Sequence, residues 1–521
     1  MGIPSYYKRL IDRFPRLVKK GIQQMSSDIL LMDFNCLIYQ CIRDTSLPAY
    51  SNNTREAWES ALLEAVKAYT RKVWSVAGKP STVFIGVDGV VPMAKIRQQR
   101  LRRFKSIWLA EKEMEAGVRK PGEEYWDTNA ITPGTEFMEK LGRALTSLAS
   151  SHAGWTVSGA DEAGEGEQKL MSWVRSTREE MGGKRVVVYG LDADLIILSL
   201  LAVTREVPAV GEWSLLRELA EFEGARADKS ASFGTLNVLE LVNILCPVGE
   251  NREDYILDYM CGMSFLGNDF LPHSLSIKMR DGGHDILCMT LADIHHSGKR
   301  LVKDGQVQIG GCAELVRRWA LKEEAAMAES FQHKYKMRPM PPRNDREALM
   351  QRVQNLPIEW FSESILWDKE KGLVVGWRDI YRRELMMEAG VEQTCREYLR
   401  GLQWILDYYL GKPVSYAWYF PWNVPPLWSE LHEFMGRCEK VVEAPPPSSP
   451  VAPQEQLAMV LPMKSWRLVR ESRLRILPNK IPVYWPSVFG FFSIGRRWMW
   501  ECEAEIPILT PERMRQVVTK A

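Results

Sequence analysis

Nine cysteines are scattered through the 521 residues without a single CxxC pair, and only seven histidines accompany them. That pattern argues against a zinc site, and an odd, unpatterned cysteine set fits a reducing compartment better than a disulfide framework. Cytoplasm is the expected location, with the nucleus or a virus-infected cell as alternatives. Charge of one sign is lacking too, since 68 Lys and Arg against 66 Asp and Glu leave a net +2. Any affinity for a polyanion must then come from a local basic patch and not from the overall field. The longest apolar run, near Leu195 to Val203, is about half what a membrane-spanning helix requires. The start MGIPSYYKRL has no apolar centre of a signal peptide, and Tyr6 stands where a myristoylation motif wants Ser or Thr. No membrane partner is expected. Low-complexity tracts and internal repeats are also missing, which leaves a globular chain long enough to bury a large core.

Across the first 270 residues, short β-branched runs alternate with longer stretches of helical period. This is the pattern of a doubly wound α/β unit with a mainly parallel sheet. Strands are expected at 29–33, 82–88, 155–158 and 185–190, and helices at 54–77, 93–116, 134–151, 164–181 and 193–202. Three of the four strands run into an acidic residue, Asp33, Asp88 or Asp192. Ligands of open α/β sheets bind beyond the carboxyl ends of the strands, so these acids converge on one edge. A long charged helix is expected from about 312 to 337. The breaker cluster RPMPPRND at 338–345 marks a seam, and APPPSSPVAP at 444–453 an extended surface loop.

The seven acids Asp33, Asp88, Glu165, Glu167, Asp192, Asp194 and Asp269 all lie at strand ends or in glycine-bearing turns: DFN, VDGV, GEGEQ, GLDAD and GND. Any one alone reads as an ordinary turn or cap residue. Gathered in one cleft they could not all stay ionised without cations. Oxygen ligands without His or Cys suit Mg²⁺ or Mn²⁺, and two such ions serve phosphodiester hydrolysis. Glu165 and Glu167 would diverge by about 200° on a helix. Both can face one site only if Glu165 precedes the first full turn, which Gly164 permits.

MAKIRQQRLRRFKSIWLAEKEMEAG is an unbroken helical stretch with Lys95, Arg97, Arg100, Arg102, Arg103 and Lys105 in eleven positions. A solvated basic face is the plain explanation. Lys95, Gln99, Arg102 and Arg103, however, fall at i, i+4, i+7 and i+8 and share one face. Arginine forks and a lysine point charge there suit a doubly charged 5′-monophosphate.

Seven stretches together are highly specific: MGIPSYYKRL, LLMDFNCLIYQ, VDGVVPMAKIRQQRLRRFKS, ITPGTEFMEKL, GEGEQKLMSWVR, YGLDADLIILSL and FLGNDFLPH. By them the chain resembles the XRN family of 5′-to-3′ exoribonucleases, relatives of flap endonucleases with a PIN-like core. GLQWILDYYLGKPVSYAWYFPW, EQLAMVLP and the region through IPILTPERM resemble the family's second conserved segment, so the similarity covers nearly the whole chain. The resemblance implies that the seven acids hold the metals and that Lys95, Gln99, Arg102 and Arg103 bind the 5′-phosphate. It also implies processive release of nucleoside 5′-monophosphates from single-stranded RNA, exclusion of capped ends, and a place in RNA decay after decapping. The expected organisation is an α/β nuclease core over 1–300, a long helix and linker over 301–345, and a helical segment over 346–521 that buttresses the core. A monomer without a protein-docking extension is expected.

Two positions depart from the family pattern. Tyr39 replaces a His that stacks on the terminal base opposite a Trp, mapped here to Trp404, and Gln168 replaces the His of GEGEHK. A tyrosine ring still stacks, at about 1–3 kcal/mol per base. Most of the nineteen tryptophans are expected in packing. Two other readings share these motifs: a 5′ exonuclease or flap nuclease acting on DNA, since metal chemistry does not read the sugar, and an inactive module that holds RNA 5′ ends.

Overall fold

In the computed structural model, residues 5–43, 46–119, 122–219, 233–339, 341–438 and 443–519 are described. Residues 1–4 of the opening motif and Met340 of the 338–345 breaker lie outside them. The helices of eight or more residues that matter below are α1 (Tyr6–Arg13), α2 (Asn35–Ile42), α3 (Arg55–Val76), α4 (Met93–Glu115), α5 (Glu136–Ser150), α6 (Gly166–Ser176), α7 (Asp194–Leu201), α8 (Val238–Leu245), α9 (Arg252–Phe265), α10 (Gly283–His296), α11 (Ile309–Ala320), α12 (Glu323–Lys336), α13 (Asp345–Gln354), α14 (Val391–Tyr409), α15 (Trp428–Arg437) and α16 (Pro453–Val460).

The chain forms two compact units. The first comprises Met1–Val91, Glu124–Met260 and Asp407–Pro413, and the second Pro92–Glu123, Cys261–Leu406 and Val414–Ala521. The division is interleaved, not sequential as the motifs alone suggest. The cause is local to the second unit, where α4 packs against α16 and the strand Glu503–Glu505.

A seven-stranded sheet organises the first unit. Its strands are β1 (Val18–Ile22), β2 (Ile29–Asp33), β3 (Thr82–Gly86), β4 (Trp155–Ser158), β5 (Arg185–Tyr189), β6 (Glu212–Glu218) and β7 (Phe233–Asn237), in the order β1-β7-β6-β5-β2-β3-β4. All five residues of β2 (ILLMD) are buried, as a central parallel strand covered on both faces requires. β2 pairs in parallel with β3 and with β5. The chain therefore winds outward from β2 through β3 to β4, then returns and winds the other way through β5 to β6. That reversal makes a switch point between β2 and β5, where open α/β sheets bind ligands. α6 rests on β2 and β3, α5 on β4 and α3, and α8 on β6 and α7.

The four expected strands are present within two residues of their expected ends. Three more were not legible. β1 (VKKGI) is a mostly exposed edge strand, antiparallel to β7. Charges at an edge are normal there and erase the apolar alternation on which recognition depends. β7 is also antiparallel to β6, so the sheet is parallel only from β4 through β6.

Among the described residues the second unit is helical, with three small ladders: Val302–Lys303 with Gln306–Val307, Trp367–Asp368 with Gly372–Leu373, and Gly490–Phe492 with Glu503–Glu505. α11 packs on α15 and α10. The single helix expected over 312–337 is instead the pair α11 and α12, broken at Leu321 and Lys322. Glu323 is the first residue of α12. Its buried carboxylate accepts from the backbone N–H of Trp428 at 2.6 Å and of Ser429 at 3.2 Å, satisfying orphan donors at the start of α15. Burial pushes its pKa up to about 6. Among the described residues, no helix is long and apolar enough to cross a membrane.

One face of α4 is structural. Arg100 is wholly buried and donates to the carbonyls of Pro507 at 3.0 Å, Met459 at 2.7 Å and Tyr484, while its guanidinium lies over Phe104 at 4.7 Å. Burial lowers its pKa to about 9. Arg100→Ala strands three carbonyls, and a loss of about 3–5 kcal/mol is expected, read as a lower urea midpoint with no selective effect on ligand binding. An unchanged midpoint would remove Arg100 from the core of this unit.

Candidate active site

The acids of the first unit converge because β2, β3 and β5 end in register. Met32 pairs with Ile85 and with Tyr189, and Asp33 with Gly86. Asp33 thus stands at the tip of β2, Asp88 two residues past β3, and Asp192 just beyond β5. α6 starts against the same edge, with Glu165 as its N-cap in extended backbone (φ −72°, ψ 152°) and Glu167 in its first turn. Glu165 accordingly precedes the first full turn, as the spacing demanded, and both glutamates are buried. One oxygen each from Asp33, Asp88 and Glu167 lie within 4.8 Å of one another.

Backbone proximity makes this crowding possible. A Cβ on Gly166 would sit 2.6 Å from Asp33 Oδ1 and 2.8 Å from the Gly86 carbonyl, and one on Gly190 would meet Leu195 Cδ1 at 2.2 Å. Gly166 N–H donates to Asp88 Oδ1 at 2.7 Å. Asn35 holds the other side of Asp88, its Nδ2 donating to Oδ2 at 2.8 Å and its Oδ1 accepting the Asp88 N–H at 3.2 Å. Lys169, on α6, donates to the carbonyls of Val87 at 2.8 Å and Gly159 at 2.6 Å. Burial lowers this amine to about 8, against the pull of Glu162, Asp88 and Asp161. Asn35 and Lys169 were not singled out from sequence. Both sit inside the DFN and GEGEQK stretches, so a signal was present without a reason to weigh it.

Asp194 is buried at the first position of α7, and its N–H donates to Asp192 Oδ1 at 3.3 Å. Burial, then repulsion from Asp88, Asp192 and Glu165, drives the Asp33 carboxyl well above the usual carboxylate range. A like-charged cluster of this kind, oxygen-only and pinned by amides, fits divalent cations by the chemistry of its donors.

Asp269 lies in the second unit. It accepts from Lys95 Nζ at 2.7 Å and from Gln98 Nε2 at 2.8 Å. α4 runs unbroken from Met93 to Glu115 and keeps Lys95, Gln99, Arg102 and Arg103 on one face. Lys95, Gln99 and Arg103 are largely buried and Arg102 partly so. Gln99 Oε1 accepts from Gln456 at 3.5 Å. The remaining basic residues serve the fold: Arg97 binds Asn423 and Glu503, and Lys105 the carbonyls of Trp500 and Cys502.

Tyr39, on α2, is 37% exposed and offers a ring to stack on. Trp404 does not. It is 0% exposed, its Nε1 donates to the Ser415 carbonyl at 2.9 Å, and its ring packs on Phe270 and Trp418 at 5.1 and 5.4 Å. The stacking partner expected at Trp404 is a core residue. Trp418, Trp422, Trp428 and Trp485 are buried as well, which agrees with a packing role, while Trp500 is 47% exposed.

The mostly parallel sheet with carboxylates gathered at its switch point is a PIN-like α/β unit. Residues 1–213 match the family model described as XRN 5′-3′ exonuclease N-terminus, and residues 361–521 match that of the Xrn1 helical domain. The human 5′-3′ exoribonuclease 1 is 28% identical over 99% of this chain and 34% of its own length. The Arabidopsis thaliana 5′-3′ exoribonuclease 2 is 24% identical over 100% of the chain and 67% of its own. The Saccharomyces cerevisiae 5′-3′ exoribonuclease 1 is 23% identical over 99% and 43%. The chain spans about a third to two thirds of the length of these curated relatives. It belongs to the XRN family.

Two consequences follow from the crowding. Gly166→Ala forces Cβ into Asp33 and Gly86, so any activity should fall by about 100-fold or more, a loss that steady-state assays would reveal; wild-type rates would show that α6 can retreat freely. The unfolded chain ionises Asp33 near pH ~3.9. Stability of the metal-free protein should therefore decline as pH rises past that value until the raised folded-state pKa is reached, and stay lower above it. Asp33→Asn should accordingly melt higher than wild type in chelator at about pH 7. Equal or lower melting would mean that neither burial nor the neighbouring carboxylates disfavour the ionised Asp33.

Proposed function

We propose that the chain is a metal-dependent 5′-to-3′ exoribonuclease that removes nucleotides stepwise from single-stranded RNA bearing a 5′-monophosphate. The observation that carries this reading is the oxygen cluster of Asp33, Asp88 and Glu167, with Glu165, Asp192 and Asp194 beside it on the same strand ends and helix starts. These residues would hold divalent cations, Mg²⁺ or Mn²⁺ and two in number on this reading, which when bound supply charge for the developing phosphorane and a more acidic water.

Around that chemistry the chain's own groups do the positioning. Asn35 and the Gly166 N–H fix both oxygens of Asp88, so that it cannot swing away when the cluster is charged. Lys169 ties down the backbone that carries Asp88. In the second unit, Lys95, Gln99, Arg102 and Arg103 are assigned to the terminal phosphate. Arginine forks and a lysine largely withdrawn from water reward a doubly charged monophosphate and gain nothing from a neutral 5′-hydroxyl. The Lys95–Asp269 pair keeps the amine compensated, and a phosphate at Lys95 must share or displace that carboxylate. Tyr39 is assigned to stack on a base. Release of nucleoside 5′-monophosphates and a role in RNA decay are inferred from the family.

Digestion of 5′-monophosphate, 5′-hydroxyl and capped RNA, and of a matched DNA strand, tests this with Mg²⁺ and with chelator. Activity is expected on the monophosphate RNA with metal alone, and Asp192→Ala should lower it on the order of 10³-fold. Preferential cutting of DNA would overturn the substrate class, and survival in chelator the metal assignment. Arg102→Ala should reduce the preference for 5′-monophosphate over 5′-hydroxyl ends by about 10- to 100-fold with smaller effect on binding of internal RNA. Equal losses would make α4 a general backbone binder.

A further inference from the structure

The seven residues Asp407–Pro413 come from the part of the chain that matches the helical-domain family model, yet they belong to the first unit. They are keyed to α6 at two places. Toward the C-terminal end of α6, Arg175 donates to the Tyr409 carbonyl at 2.8 Å and pairs with Glu206 at 3.3 Å. Gly411 has φ +69°, a backbone conformation that favours glycine, and a Cβ there would lie 2.2 Å from Arg175 Nη1 and would push the guanidinium aside. A Lys412–Asp407 pair at 3.0 Å closes the turn. At the opposite end of α6, Tyr408 Oη donates to Glu165 Oε1 at 2.7 Å, with both side chains buried.

Glu165 is the N-cap of α6, but its side chain makes no capping hydrogen bond. The Tyr408 phenol fixes one oxygen of that carboxylate by donating to it. Buried tyrosine hydroxyls commonly find some partner, and a plain packing role would be served by any carbonyl. Here the partner is Glu165, two residues before the Glu167 that shares the oxygen cluster with Asp33 and Asp88. Outer hydrogen bonds that orient ligating carboxylates tune cation affinity.

We infer that Tyr408 is a positioning residue that sets the orientation of Glu165 and thereby the cation affinity of the carboxylate cluster. This rests on the reading of Glu165 as a metal ligand. The hydroxyl reaches the cluster from a segment distant in sequence, so the inference also assigns a specific duty to the second conserved region: one hydrogen bond within the first unit.

The test uses the full chain without RNA, with Mn²⁺ binding followed by calorimetry and metal-free melting by circular dichroism in chelator. Tyr408→Phe should weaken Mn²⁺ about 10-fold and leave the metal-free melting temperature within a few degrees of wild type. With RNA, kcat should fall at limiting Mn²⁺ and recover at high Mn²⁺, while KM for RNA stays within about two-fold. Glu165→Gln should also weaken Mn²⁺, and adding Tyr408→Phe to it should bring little further loss. Arg175→Ala should lower the melting temperature and leave Mn²⁺ affinity near wild type. Wild-type Mn²⁺ affinity in Glu165→Gln would overturn the ligand reading itself. Weakening in Glu165→Gln but not in Tyr408→Phe would overturn the role of Tyr408 alone. Equal weakening in Tyr408→Phe and Arg175→Ala, or a loss in Tyr408→Phe that tracks its melting temperature, would assign the effect to docking of the segment and not to the hydroxyl.

Discussion

The backbone of α6 approaches the ends of β2 and β3 so closely that Gly166 has no room for a side chain between Asp33 and the Gly86 carbonyl. That approach brings Glu167 alongside Asp33 and Asp88, and aims the Gly166 N–H at Asp88. Without it the strand ends would present Asp33, Asp88 and Asp192 with no glutamate among them. With it they present a set of carboxylates in which burial, and then mutual repulsion, drives Asp33 toward its protonated form. Such an arrangement costs stability in the empty protein and becomes favourable when cations are bound, so the groups around it have to hold it in place. Asn35, Lys169 and Tyr408 each do so from a different element. All three act on a carboxylate, or on the backbone that carries one.

α4 divides its charges by face. Arg100 is enclosed by carbonyls and an aromatic ring, and Arg97 and Lys105 are bound to residues far along the chain. They stand among Arg102 and Arg103 in one basic stretch but on another side of the helix, and their work is to anchor it. The other face, Lys95, Gln99, Arg102 and Arg103, is held largely out of water by that anchoring. On the proposed reading, that partial desolvation would favour a compact dianion at this face over an extended polyanion. A helix of similar charge left in solvent would bind nucleic acid by its backbone alone.

Much of this was legible. The buried strands announce themselves as β-branched runs that end in acids, and the helical spacing of Lys95, Gln99, Arg102 and Arg103 survives because α4 is continuous. β1 escaped notice because an exposed edge strand carries no apolar alternation. The break between α11 and α12 escaped because Glu323 looks helical. Trp404 looked like a stacking platform by its place in a motif, and is a core residue by its surroundings.

The sequence by itself determined the α/β class, the strands that carry the acids, the family and the identity of the acidic and basic candidates, because these depend on local period and on residue type. Tertiary structure alone decided which of them meet. Asp33, Asp88 and Glu167 share a cluster because three strands end in register beneath one helix start. Asp269 faces Lys95, Arg100 turns inward, and Tyr408 finds Glu165 because hydrogen bonds between residues 174, 407 and 243 positions apart follow from packing and leave no trace in local pattern.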